Sequence, residues 1–137
     1  MAFVLDGSVA VAWLLPDEMR AELDALQDSL VDAAAIVPSL WPIEVGNALL
    51  VAARRGRIDP SELEHLVRAI QALHIEIDTA TAEFALTRTL ELARLHRLTT
   101  YDATYLELAI RTGLPLATLD KDLRRACAAE HIPLAGG

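Results

Sequence analysis

The chain has 137 residues, with 20 acidic against 12 basic side chains for a net charge of −8, and 53% of its residues are hydrophobic. That length suits a single domain, residues 1–137, and that apolar content excludes global disorder. No apolar run approaches the roughly 18 residues a membrane helix needs, and the lone Cys127 excludes an internal disulfide or a cysteine-based zinc cluster, so a cytoplasmic protein with no membrane partner is expected.

Phe3-Val4-Leu5 reads as a first strand ended by Asp6, followed by helices over residues 8–15 and 17–32. Ala35-Ile36-Val37, closed by Pro38, is the second strand. A helix over 40–55 follows, with Ser39 as its N-cap, Pro42 in its first turn and Gly56 at its end. Asp59-Pro60-Ser61 opens a helix over 60–73, and His74-Ile75-Glu76-Ile77 is the third strand, closed by Asp78. Helices over 81–96 and 102–112 lead to Leu116-Ala117-Thr118-Leu119, the fourth strand, closed by Asp120, with a last helix over 121–129. Ile132-Pro133-Leu134 offers a short fifth strand that its proline confines to an edge. This alternation is the pattern of a parallel α/β sheet. Glu64 with Arg68, and Glu107 with Arg111, stand four residues apart and read as pairs on solvated helix faces.

Ligands of an open α/β sheet bind beyond the carboxyl ends of the strands. Asp6 and Asp120 lie there, Asp102 opens its helix, and Glu44 sits early in the helix after the second strand. Each Asp could equally be a helix cap. Glu44 is more telling: it borders an apolar face of Trp41, Val45, Ala48, Leu49 and Ala52 and has no basic neighbour one turn away. A partly buried carboxylate of that kind needs a partner from the fold, and a bound metal is one. Several carboxylates together repel unless a divalent cation intervenes. All-oxygen ligation selects Mg²⁺ or Mn²⁺, as one or two ions, and the chemistry such ions support is phosphodiester hydrolysis.

Phe3-Val4-Leu5-Asp6-Gly7-Ser8, Pro42-Ile43-Glu44-Val45-Gly46-Asn47-Ala48-Leu49, Thr100-Tyr101-Asp102-Ala103 and Leu116-Ala117-Thr118-Leu119-Asp120-Lys121-Asp122 resemble, in order, the four acidic motifs of PIN domains. Within that family the resemblance is closest to the VapC toxins of toxin–antitoxin pairs. It implies a single domain with a central five-stranded parallel sheet flanked by helices on both sides. It further implies a metal-dependent endoribonuclease acting on structured RNA such as tRNA or rRNA, a homodimer, and a small VapB-like antitoxin as partner. Carried over, Asp6, Glu44, Asp102 and Asp120 are the catalytic and metal-binding acids. Asp122 is an additional acid for a second ion, which leaves both Asp120 and Asp122 as candidates to face the metal, and Ser8, Asn47 and Thr118 are supporting polar residues.

The acidic balance runs against RNA binding, which usually goes with basic excess. Arg54, Arg55 and Arg57 cluster after the Glu44 helix, however, and Lys121 and Arg124 are further candidates for phosphate contacts. The alternative is a catalytically inactive module of the same fold that sequesters RNA or a protein partner; retention of mutually repelling carboxylates counts against it.

Overall fold

The structure is a computed structural model that describes residues 2–15 and 21–136. Four strands, β1 (Phe3–Leu5), β2 (Ala35–Val37), β3 (Ile75–Ile77) and β4 (Leu116–Ala117), pair in parallel in the order β3-β2-β1-β4. The register sets Phe3 beside Ala35 on one side of β1, and Val4 beside Leu116 on the other. All of β1 is buried, as an unbroken apolar run in the middle of a parallel sheet must be.

The expected five-stranded sheet is therefore a four-stranded one. At the β4 edge Leu134 makes only an isolated parallel bridge to Leu116. The Leu116 N–H donates to the Pro133 carbonyl at 3.0 Å, and the Ala135 N–H donates to the Leu116 carbonyl at 3.0 Å. Pro133 has no N–H with which to lengthen this ladder, and the Ile132 N–H is engaged by the Cys127 carbonyl at 2.8 Å. β4 is also shorter than expected, because Thr118 and Leu119 turn their polar groups toward the end of β1.

The helices are α1 (Gly7–Leu14), α2 (Ala21–Asp28), α3 (Trp41–Arg54), α4 (Leu63–Gln71), α5 (Thr81–Phe84), α6 (Arg88–His96), α7 (Thr100–Thr112) and α8 (Lys121–Ala129). A 3₁₀ turn, Ser29–Val31, follows α2. Positions 17–20 of the helix expected over 17–32 lie outside the described residues. Ser39 is not the cap of α3: its N–H donates to Thr81 Oγ1 at 3.0 Å, and Leu40 precedes the helix without a side-chain cap. The helix expected over 60–73 begins as a 3₁₀ turn, Pro60–Glu62, capped by Asp59. The one expected over 81–96 is split at Thr87, which leaves helical geometry and whose hydroxyl donates to the Phe84 carbonyl. α7 starts two residues early because Thr99 caps it, accepting the Asp102 N–H at 3.1 Å.

Glu107 and Arg111 are not a solvated pair. Glu107 is only 3% exposed, and Arg111 also grips both Asp78 oxygens, at 3.0 and 2.8 Å, while its guanidinium lies over the Phe84 ring. This cluster ties α7 to the end of β3 and to α5. Among the described residues no helix is long and apolar enough to cross a membrane.

Candidate active site

Parallel strands end on one rim, and the chain leaves β1 through Asp6 and β4 through Thr118-Leu119-Asp120. α3 contributes Glu44 and α7 contributes Asp102. These four carboxylates, with Gly7, Ser8, Val11, Ala48, Arg57 and Leu119, line one open cleft of about 410 Å³.

Asp6 is the most enclosed of the four cleft acids, 5% exposed. Its Oδ2 accepts from Ser8 Oγ at 2.7 Å and from Thr118 Oγ1 at 2.6 Å. The same hydroxyls accept in turn, Ser8 from the Leu119 N–H at 3.1 Å and Thr118 from the Asp120 N–H at 3.0 Å. The loop after β4 is thus fastened to the loop after β1 around one carboxylate oxygen. Asp120 is both cleft wall and helix cap: its Oδ2 accepts the Leu123 N–H at 2.8 Å. Glu44 accepts from the Tyr105 hydroxyl through Oε1.

The electrostatics have a common sign. Burial pushes the Asp6 carboxyl above its ordinary range and the charge of Asp120 adds to it, against the hydroxyl bonds of Thr118 and Ser8. Burial also raises Glu44, helped by Asp6 and Asp102 and opposed by the Tyr105 bond. Asp102 is pushed up to about 6, by burial first and then by the charges of Asp120 and Asp6. A cation in this cleft would relieve all three. The donor set is oxygen throughout, which fits a hard ion. Among the described residues no three acidic, His or Cys side chains are grouped so as to hold a metal ion between them. An open rim of separate carboxylates suits Mg²⁺, which keeps several waters and takes only one or two carboxylates directly.

Of the other expected residues, Ser8 and Thr118 are on Asp6. Asp122 is not in the cleft: it pairs with Arg125 at 2.9 Å on the exposed side of α8, so Asp120 is the acid of the two that faces the cleft. Asn47 is exposed on α3 and lies outside the cleft lining, as do Arg54 and Arg55. Arg57 does line the cleft. Gly56, at φ 75°, turns the chain out of α3, and the Arg57 N–H then closes on the Ala52 carbonyl at 2.9 Å. Lys121 and Arg124 line a neighbouring cleft beyond Thr118 and Leu119, where Arg124 Nη1 donates to the Thr118 carbonyl at 2.7 Å. The residue that sequence reasoning missed is Tyr105. Its place one turn after Asp102 was visible, but its contact with Glu44 joins positions 61 residues apart.

Comparison with known proteins agrees with this fold. The family model of the PIN domain matches residues 3–129. Ribonuclease VapC3 of Pyrobaculum aerophilum is 30% identical over 128 residues, covering 90% of this chain and 92% of that protein. Among solved structures, PAE2754 from Pyrobaculum aerophilum superposes with a TM-score of 0.66 at 29% identity, over 92% of this chain and 87% of that one. VapBC2 from Rickettsia felis, bound to a DNA fragment from its promoter, also gives a TM-score of 0.66, over 98% of this chain and 97% of that one. At 12% identity it speaks to the fold alone.

Proposed function

The chain belongs to the PIN domain family, in its VapC-like branch, and on that premise we propose that its acidic cleft is the active centre of a metal-dependent endoribonuclease, the toxin of a VapBC-type pair. The observation that carries this reading is the convergence of Asp6, Glu44, Asp102 and Asp120 on one open rim, where burial and one another's charges hold three of them above their ordinary pKa range.

In this reading the four acids hold Mg²⁺ or Mn²⁺, as one or two ions. When bound, such an ion supplies a nucleophilic water at neutral pH and neutralises charge on the departing oxygen. The chain's own residues do the rest. Ser8 and Thr118 fix the Asp6 carboxylate, and Asp120 is held by the helix it caps. Arg57 places a guanidinium on the cleft wall for an RNA phosphate, with Arg54, Arg55, Lys121 and Arg124 as flanking cations and Asn47 as a polar contact beside them. Water is the nucleophile and the 3′-oxygen departs with a proton, so the products carry 5′-phosphate and 3′-hydroxyl ends and no side chain is a covalent nucleophile. The substrate is structured RNA, such as tRNA or rRNA. A VapB-like antitoxin is the partner, a reading that rests on the similarity to a VapC ribonuclease, and the working assembly is a homodimer in the cytoplasm.

The test is incubation of partner-free protein with total cellular RNA in Mn²⁺ or EDTA, beside Asp102→Asn. Discrete products that require both metal and Asp102 are expected. Cleavage that survives Asp102→Asn would overturn the site. Absence of both cleavage and Mn²⁺-dependent stabilisation would favour the inactive, sequestering module.

A further inference from the structure

We infer that Tyr105 is a positioning residue that fixes how Glu44 is presented to the cation; this rests on the metal-dependent reading above. The Tyr105 ring is completely buried in α7, one turn beyond Asp102, and its hydroxyl donates to Glu44 Oε1 at 2.5 Å. Gly7, the first residue of α1, adjoins both groups, and its backbone N–H also reaches the Tyr105 hydroxyl. A Cβ there would lie 3.1 Å from the same Oε1 and 3.6 Å from Val45 Cγ2. Glu44 Oε1 therefore lies against both a rigid phenol and a bare backbone, a corner that a side chain at position 7 would crowd.

The consequence concerns the other oxygen. A glutamate has three rotatable side-chain bonds, and ordering it costs entropy each time a ligand is bound. A phenol carried on a packed ring removes that freedom in advance. With one lone pair of Oε1 engaged by Tyr105, Oε2 is the less encumbered oxygen of Glu44, and the phenol bond sets the orientation in which the carboxylate meets a cation. The bond also couples α3, which carries Glu44, to α7, which carries Asp102, so two acids from separate helices keep one relative placement. Partners of this kind commonly contribute about 10-fold or more to metal affinity.

The experiment uses the full chain, free of partner and treated with EDTA, titrated with Mn²⁺ and followed by thermal unfolding as well as RNA cleavage. Wild type, Tyr105→Phe, Glu44→Gln and the double variant are compared. Tyr105→Phe is expected to raise the Mn²⁺ concentration for half-maximal stabilisation about 10-fold. In the Glu44→Gln background the same substitution should shift it less than about twofold, because the two residues act as one unit. A Tyr105→Phe protein that titrates like wild type overturns the inference, and so does an undiminished shift in the Glu44→Gln background. Should Tyr105→Phe fail to fold, Gly7→Ala crowds the same Oε1 and should weaken Mn²⁺ binding likewise; an unchanged midpoint overturns the inference. A wild-type protein that neither responds to Mn²⁺ nor cleaves RNA overturns the metal-dependent reading itself, which separates that failure from the failure of Tyr105.

Discussion

At neutral pH the charge on Asp102 works against folding. Its carboxyl is raised to about 6 in the native protein, from an ordinary value of 3.8, so the native state binds the proton more tightly than the unfolded chain does. The sign follows: stability contributed by protonation is present below the unfolded value and is lost as pH rises through about 6. Asp6 and Glu44 are shifted in the same direction. In EDTA, the unfolding temperature should therefore rise from pH 8 to pH 5, and Asp102→Asn should melt higher than wild type at pH 8 with a shallower slope. Identical profiles for the two proteins would contradict this. Cations compete with these protons, so Mn²⁺ stabilisation should shrink below about pH 6. Asp78 has the opposite sign: its bonds to Arg111 hold it below its ordinary range, and its contribution disappears only when strong acid protonates it. Arg97 stands apart from this chemistry, in left-handed geometry at φ 55° behind α6. Arg97→Gly should stabilise by about 0.5 kcal/mol in urea unfolding, the relief of strain exceeding the added freedom of the unfolded chain.

Between elements, the Asp78, Arg111 and Glu107 cluster joins α7 to the end of β3. Glu107 is buried and its partner is Arg111, with Nε to Oε2 at 2.7 Å. Arg111→Met keeps much of the packing but strands a buried carboxylate, and a loss of about 3 kcal/mol in urea unfolding is expected. A loss below about 1 kcal/mol would mean that Glu107 finds water or takes up a proton. The same cluster shows what a sequence cannot display. Glu107 and Arg111 were visible as a spaced pair, yet their burial depends on Asp78, which is 33 residues from Arg111. Ser39 was legible as a cap because of its type and place before Pro42, but the helix begins one residue later than expected, with Leu40 in the cap position, and the Ser39 N–H goes instead to Thr81, 42 residues on. Asp6, Asp102 and Asp120 were legible because strand ends and helix starts carry local punctuation. Asp120 also shows that cap and cleft wall were never exclusive, since one carboxylate has two oxygens. The Thr87 break had no comparable punctuation, neither Gly nor Pro.

Over the whole molecule, sheet order decides where chemistry can sit. β1 lies between β2 and β4, so the ends of three adjacent strands share the rim on which Asp6, Glu44 and Asp120 converge. β3 and β4 form the two sides, and only the β4 side is trimmed by a tail, through the bridge from Leu116 to Leu134. Because that bridge is single, release of the tail breaks only two backbone bonds of Leu116 at the sheet edge, fewer than parting β1 from its neighbours. Backbone amides report such openings by exchanging with deuterium. The Leu116 amide, donating to Pro133, should exchange well before the Val4 amide, which donates to the Pro115 carbonyl at 2.8 Å inside the sheet. Equal protection of the two would mean that the tail opens only with the whole domain. Deleting residues 131–137 would turn a transient opening into a permanent one, leaving β4 as a bare strand beside the acidic rim and inviting the chains to stack edge to edge into aggregates.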